Sequence, residues 1–464
     1  MTTAGFGRRI VETPSRSIML VPEKPDESQR GLGVRADFGR TEQKDQIREE
    51  LLKRIEPAAA AKVSRRMLQA QIAIMVSEIA TEQKIQLNEV EEAALAAELT
   101  DDMVGLGPLE PLLQDDSVTD ILVNGSNDIY VERRGKLEKT SAQFRDTQHV
   151  VNVAQRIATG VGRRIDEASP MVDARLADGS RVNIVLPPLV LNGGTISIRK
   201  FPTQNITLET MVSQGNISAE MAQFLDIAAR CRVNILISGG TGSGKTTLLN
   251  AVSRHIDTDE RIITIEDAVE LRLQQPHVVQ METRPPNIEG VGHIPQRELV
   301  RNALRMRPDR IIVGEVRGNE AFDMLQAMNT GHDGSMSTIH ANTPRDALFR
   351  LENMVLMASG NLPLRALRAQ IASAINIIVQ IARMRDGIRR IERICEISGM
   401  EGEIVSTRDI FTFQHQGENR DGIIQGTFEP SKLRPDLAEK AAQFGLERQL
   451  LSSVGISTTL ITVS

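Results

Sequence analysis

The spacing of apolar positions changes character several times along the chain. Through residues 1 to 40 no apolar face repeats, and Gly, Pro, Arg and other charged residues dominate, so a flexible tail is expected. From Lys44 onward Ile47, Leu51, Leu52 and Ile55 recur at helical spacing. Beyond Pro57, Met67, Ile72, Ile74, Met75 and Ile79 continue the pattern, and Leu87, Val90, Ala94 and Leu95 carry it to Leu99. A small helical bundle over residues 41–104 is predicted, with Ala58–Ala61 starting a helix behind Pro57.

Gly105-Leu106-Gly107-Pro108 interrupts the helical spacing. Ile121–Val123, the turn signal Asn124-Gly125, Ile129–Glu132 and a second turn at Gly135 read as a β-meander. A helix over Thr147–Ala158 and strands over Arg181–Leu186 and Thr195–Arg199 complete an α+β domain over residues 105–203. Residues 204–218 form a linker.

From Ala219 short apolar runs alternate with helical segments: 233–238, 261–265, 277–281 and 310–313. That alternation predicts an α/β domain with a parallel-sheet core over residues 219–425. Residues 426–464 read as a polar tail with one amphipathic helix around Asp436–Leu451.

One loop in this region carries chemistry. Gly239, Gly240, Thr241, Gly242, Ser243, Gly244, Lys245 and Thr246 match GxxxxGK[ST], directly after an apolar strand and before the helix that continues through Thr247. The glycines let backbone N–H groups turn inward around anionic oxygens, and the helix start adds its positive end. Lys245 supplies a mobile charge for the β- and γ-phosphates, and the Thr246 hydroxyl is suited to Mg²⁺. A nucleoside triphosphate site follows.

Carboxylates at the ends of neighbouring strands narrow the chemistry, because such ends face the ligand crevice of an open α/β sheet. Glu270 is a candidate to polarise the attacking water, and Glu266 and Asp267 to position Mg²⁺. A second strand, Arg310 to Val313, ends in Gly314-Glu315, with glycine where many phosphate-loop proteins carry Asp. Glu315 then acts on the catalytic water or behind the metal. His332 and His340 fall in one Gly/Ser/Thr-rich segment, where a neutral imidazole is suited to sense the γ-phosphate or transmit its loss to a neighbouring subunit.

Composition removes alternatives. The net charge of −6, with 3% aromatic residues, argues against a nucleic-acid translocase, so no stable nucleic-acid partner is expected. No NKxD-type base-reading segment follows the phosphate loop, which argues against a regulatory GTPase. Cys231 and Cys395 form no metal or disulfide pattern. No apolar run reaches the length of a membrane span, and a soluble, cytoplasmic chain is expected. Arg297, Arg301 and Arg305 make a basic stripe, read as a solvated helix face paired with local acids.

The four segments Gly239–Thr246, Thr264–Glu270, Gly314-Glu315 and Gly331–His340, in this order, resemble the ATPase superfamily of type II and type IV secretion and type IV pilus systems. The form TGHDGSMSTIHANTP, together with Gly105–Leu113 and Asp120–Gly125, looks closest to the CpaF/TadA branch serving tight-adherence pili. The resemblance covers residues 40 to 425 and implies a RecA-like ATPase domain behind the α+β domain, closing on ATP and Mg²⁺ in a homo-hexamer. It further implies arginines delivered to the phosphates, here Arg181 and Arg199, and inner-membrane pilus platform partners at the cytoplasmic face of that membrane.

Overall fold

The computed structural model describes residues 43–55, 63–133, 135–201, 206–286, 291–359 and 362–456. The expected tail over 1–40 and the helix start at Ala58–Ala61 lie outside the described residues. Two compact units divide the chain, Met1–Glu110 and Pro111–Ser464.

The first unit is helical over 43–54, Arg65–Glu82 and Glu89–Val104. Asn88 accepts from the Glu91 N–H while the Glu91 carboxylate accepts from the Asn88 N–H, a reciprocal cap that fixes where the last helix starts. Ile47, Leu51, Leu68, Ile72, Val76, Ile79, Leu95 and Leu99 form one buried cluster. Leu52, Met67, Ile74 and Val90, expected to share the apolar pattern, are exposed. The stripe Leu68–Ile72–Val76–Ile79 occupies the buried face of its helix and leaves Met67 and Ile74 off it.

The second unit carries two sheets. In the first, β1 (Val118–Asn124), β2 (Asp128–Arg133), β3 (Lys136–Lys139), β4 (Met171–Arg175), β5 (Arg181–Val185) and β6 (Thr195–Arg199) pair antiparallel in the order β3-β2-β1-β6-β5-β4. The meander and the two later strands stand where the apolar alternation placed them; β4 carried no such signal.

The second sheet has nine strands: β7 (Ile235–Gly239), β8 (Ile262–Glu266), β9 (Val278–Glu282), β10 (Arg310–Val316), β11 (Met336–His340), β12 (Ile377–Arg383), β13 (Arg389–Glu401), β14 (Ile404–Glu418) and β15 (Ile424–Pro430). Their order is β15-β14-β13-β12-β7-β11-β10-β8-β9. The six strands from β12 to β9 run parallel, and β13–β15 extend the sheet antiparallel. Every residue of β7 is buried: Ile235 and Ile237 join one apolar cluster and Leu236 the other, so the sheet is covered on both faces.

Two expectations change here. The linker over 204–218 contains a helix, Leu208–Ser213, capped by Thr207 and buried through Leu208 and Met211. Past residue 426 the chain is no polar tail: β15 is a sheet strand, and the single helix expected over 436–451 is two, Leu437–Gln443 and Glu447–Ser453. Ala438, Leu450 and Val454 enter the same core as Phe224, which fixes them against the sheet domain.

Deep in that domain Arg310 is fully buried and forms two bonds to Glu260, Nε to Oε2 at 2.7 Å and Nη2 to Oε1 at 2.6 Å. Glu260→Ala strands this cation, and a destabilisation of about 3–5 kcal/mol is expected in denaturant melts of the full chain.

Candidate nucleotide site

β7 delivers the phosphate loop. A Cβ on Gly239 would lie 2.3 Å from the Ile381 carbonyl oxygen, so the strand leaves the sheet only with glycine there. Gly242 and Gly244 take φ of +68° and +98°, and Gly244 precedes the helix Lys245–Ser253. Thr241 and Gly242 are exposed at the tip, whereas Ser243 is buried and donates to the Gly240 carbonyl at 2.9 Å.

Lys245 is folded onto its own loop. Its Nζ donates to the Gly239 and Gly240 carbonyls at 3.0 and 2.9 Å and lies 3.4 Å from the His340 ring nitrogens. Burial pulls its pKa down to about 8. His340 ends β11 beside Gly239, and its Nε2 is 3.1 Å from Glu315 Oε1. Burial, and then the neighbouring Lys245 charge, lower the His340 pKa. The other Glu315 oxygen accepts from Arg317 Nη2 at 2.7 Å.

Glu266 ends β8 at 3% exposure. Its Oε2 accepts from the Glu270 and Leu271 N–H groups at 2.7 and 3.0 Å, while Oε1 has no hydrogen-bond partner among the described residues. Gly314 explains its own identity at this point: a Cβ there would lie 2.8 Å from Glu266 Cγ. Burial raises the Glu266 pKa from 4.5 to about 7, so the fold binds this proton more tightly than the unfolded chain does. The stability Glu266 contributes is full below pH 4.5 and declines by about 3 kcal/mol as pH rises through 7. Glu266→Gln is expected to remove that slope, measured as denaturation midpoints at about pH 5 and about pH 8.

Arg181, Thr246, Glu266, Asp267, Glu270 and Glu315 line one cleft. Arg181 crosses from the six-stranded sheet, its Nε 3.2 Å from Glu270 Oε1 and its Nη2 donating to the Ala268 carbonyl at 2.7 Å. Arg199 is not in the cleft wall. It is the cross-strand neighbour of Arg181 and pairs with Asp120 at 3.2 Å, because β6 lies between β1 and β5 and turns that side chain toward β1. Its charge still reaches the loop and helps lower the Lys245 pKa. Thr247 is half-buried on the helix. His332 stands apart, with Nδ1 3.3 Å from the Ala327 carbonyl.

Gln296 and Arg317 also line the cleft. Gln296 lies between the expected strands 277–281 and 310–313, in no motif, and carried no sequence signal; Arg317 stood in the sequence only as a neighbour of Glu315. Arg175 was missed as well: it binds Glu282 at 2.8 Å and the Val269 carbonyl at 2.8 Å, holding the loop after β8. The stripe Arg297, Arg301 and Arg305 is satisfied locally, by Asp323, Glu298 and the Arg301 carbonyl respectively.

The donor set fits a small hard cation. The Thr246 side chain and the unpartnered Glu266 oxygen border the same cleft, while Asp267 is engaged by Arg317 at 3.2 Å. No group of three or more His, Cys, Asp or Glu that could hold a metal ion gathers among the described residues. No helix of the described residues is long and apolar enough to cross a membrane.

Residues 102–420 match a protein-family model described as type II/IV secretion system protein. A Mycobacterium tuberculosis protein named "Putative conjugal transfer protein" is 40% identical over 324 residues, 68% of this chain and 92% of that one. The type IV secretion system protein VirB11 of Bartonella quintana is 33% identical, over 60% of this chain and 88% of its own. Conjugal transfer protein TrbB of Rhizobium radiobacter is 34% identical, over 62% and 86%. Among solved structures the chain is similar to the VirB11 ATPase of the Brucella suis type IV secretion system, at 30% identity, 62% and 91% coverage and a TM-score of 0.34.

Proposed function

The chain belongs to the type II/IV secretion system protein family, and from that premise we propose that it is an ATP-hydrolysing motor whose nucleotide site lies between the two sheets of its second unit. One observation carries this reading: the ends of β7, β8, β10 and β11 and an arginine of β5 converge beside a complete phosphate loop.

In this reading the loop N–H groups and Lys245 bind the phosphates, with Lys245 leaving the Gly239 and Gly240 carbonyls as it turns to them. Thr246 and Glu266 would hold Mg²⁺, which would neutralise charge on the phosphate oxygens. Glu315, steadied by His340 and Arg317, and Glu270 orient the attacking water. Arg181 already grips the loop after β8, so closure of the six-stranded sheet on the cleft brings its guanidinium to the γ-phosphate as charge develops. Arg199 follows only if its pair with Asp120 opens.

We assign the six-stranded sheet, β1 to β6, and the nine-stranded sheet with the helices packed on it, residues 208–453, to the two closing domains and propose a homo-hexamer working at the cytoplasmic face of an inner membrane. The TGHDGSMSTIHANTP segment and Gly105–Leu113 support a CpaF/TadA-type motor that drives a tight-adherence pilus through membrane platform proteins. The names of the VirB11 and TrbB relatives favour a second reading, a type IV secretion or conjugal transfer ATPase. Hydrolysis by the purified full chain, with its mass measured with and without nucleotide, tests the motor; a monomer that consumes no ATP refutes it. Deletion of the gene then separates the two readings, by loss of pili or loss of transfer.

A further inference from the structure

Arg389 opens β13, far from the phosphate loop in sequence, yet its Nε donates to the Gly242 carbonyl at 2.9 Å. A loop that turns its N–H groups inward toward an anion turns carbonyls outward, and each of these needs a donor. Lys245 and Ser243 serve the carbonyls of Gly239 and Gly240, and Arg389 serves Gly242. The fit is close, since a Cβ on Gly244 would lie 3.1 Å from Arg389 Cδ.

Among the described residues the charge at this place is only partly offset. Among the described residues no carboxylate lies within ion-pair distance of Arg389, and its partner across the β12–β13 pairing is a second arginine, Arg383. Arg383 has Glu132 at 3.6 Å. Burial, and then Arg383, lower the Arg389 pKa, with Glu132 and Asp120 offsetting only part. An unneutralised, half-buried guanidinium beside an anion loop is compensated when the anion arrives.

We propose that Arg389 is a positioning residue for the phosphate loop: it holds the Gly242 carbonyl outward, keeps the loop N–H groups facing the phosphates, and has its charge neutralised by the seated triphosphate. The inference rests on the nucleotide reading above and adds to it a residue outside every motif of the site.

The test titrates full-length wild type and Arg389→Ala with a fluorescent ATP analogue and MgCl₂, with and without millimolar guanidinium chloride. The Ala variant is expected to bind about tenfold more weakly, with added guanidinium restoring about threefold of that loss. Unchanged affinity, or a loss that guanidinium leaves untouched, overturns the proposal. Should Arg389→Ala fail to fold, Arg389→Lys keeps the charge without the planar donor fork, and unchanged affinity in that variant overturns it equally. A wild-type chain that binds no ATP brings down the nucleotide reading itself, whereas tight binding by wild type and variants alike brings down only this inference.

Discussion

Lys245→Ala is expected to weaken ATP binding about 100-fold, the largest effect on affinity of any change predicted here. Lys245 is 8% exposed, its ammonium is held by two loop carbonyls, and His340 and the Glu315 charge lie beside it. Its removal deletes a charge-assisted bond to the phosphates and leaves the Glu315 carboxylate facing them with less compensation. Equilibrium titration of the full chain reads the loss directly, and binding within a few-fold of wild type would refute the role. The same residue sets a pH limit. Because its free pKa is about 8 and bound phosphate holds the proton on, affinity falls as pH rises past that value.

Glu315→Gln is expected to lower the hydrolysis rate about 100- to 1,000-fold while ATP binding is retained. The carboxylate links three groups of the site, accepting from Arg317 Nη2 at 2.7 Å, lying 3.1 Å from His340 Nε2 and contributing to the Lys245 pKa. Glutamine keeps the volume and one acceptor but loses the negative charge that orients water and balances Lys245 and Arg317. Single-turnover hydrolysis beside an equilibrium binding curve separates the effects. Turnover near wild type would place the catalytic carboxylate elsewhere, with Glu270 and Glu266 next in line.

Much of the site was legible from local chemistry. The phosphate loop is contiguous, so Gly239 to Thr246 announce themselves in order. Glu266 closes the apolar run of β8, Glu315 stands just past that of β10, and both border the cleft with Glu270, four residues beyond Glu266, as strand ends in an open α/β sheet do. Gln296, Arg175 and Arg389 escaped notice because nothing in their neighbours marks them; Gln296 enters the cleft wall, and Arg175 and Arg389 bind segments distant in sequence, only through the fold. Arg199 shows the opposite failure. A strand-end arginine reads as reaching outward, but strand order decides which neighbour it meets, and beside β1 it meets Asp120.

The fold divides in the same way. Alternation made the meander visible, short apolar runs the parallel strands β7, β8, β9 and β10, and helical spacing the first helices. β13 and β14, of 13 and 15 residues, intersperse charged and polar positions among the buried Ile391, Ile394, Ile410 and Phe411, so no regular apolar alternation marks them in the sequence.

By itself, then, the sequence determined the phosphate loop, the acidic strand ends and the succession of helices and strands, because each is set by the conformational limits and hydrophobicity of neighbouring residues. Tertiary structure alone decided which charges meet: that Glu266 is buried against Gly314, that Arg181 rather than Arg199 enters the cleft, and that Arg389 closes the back of the loop. Those outcomes depend on sheet order and on the desolvation that packing imposes, and neither is written in any local run of residues.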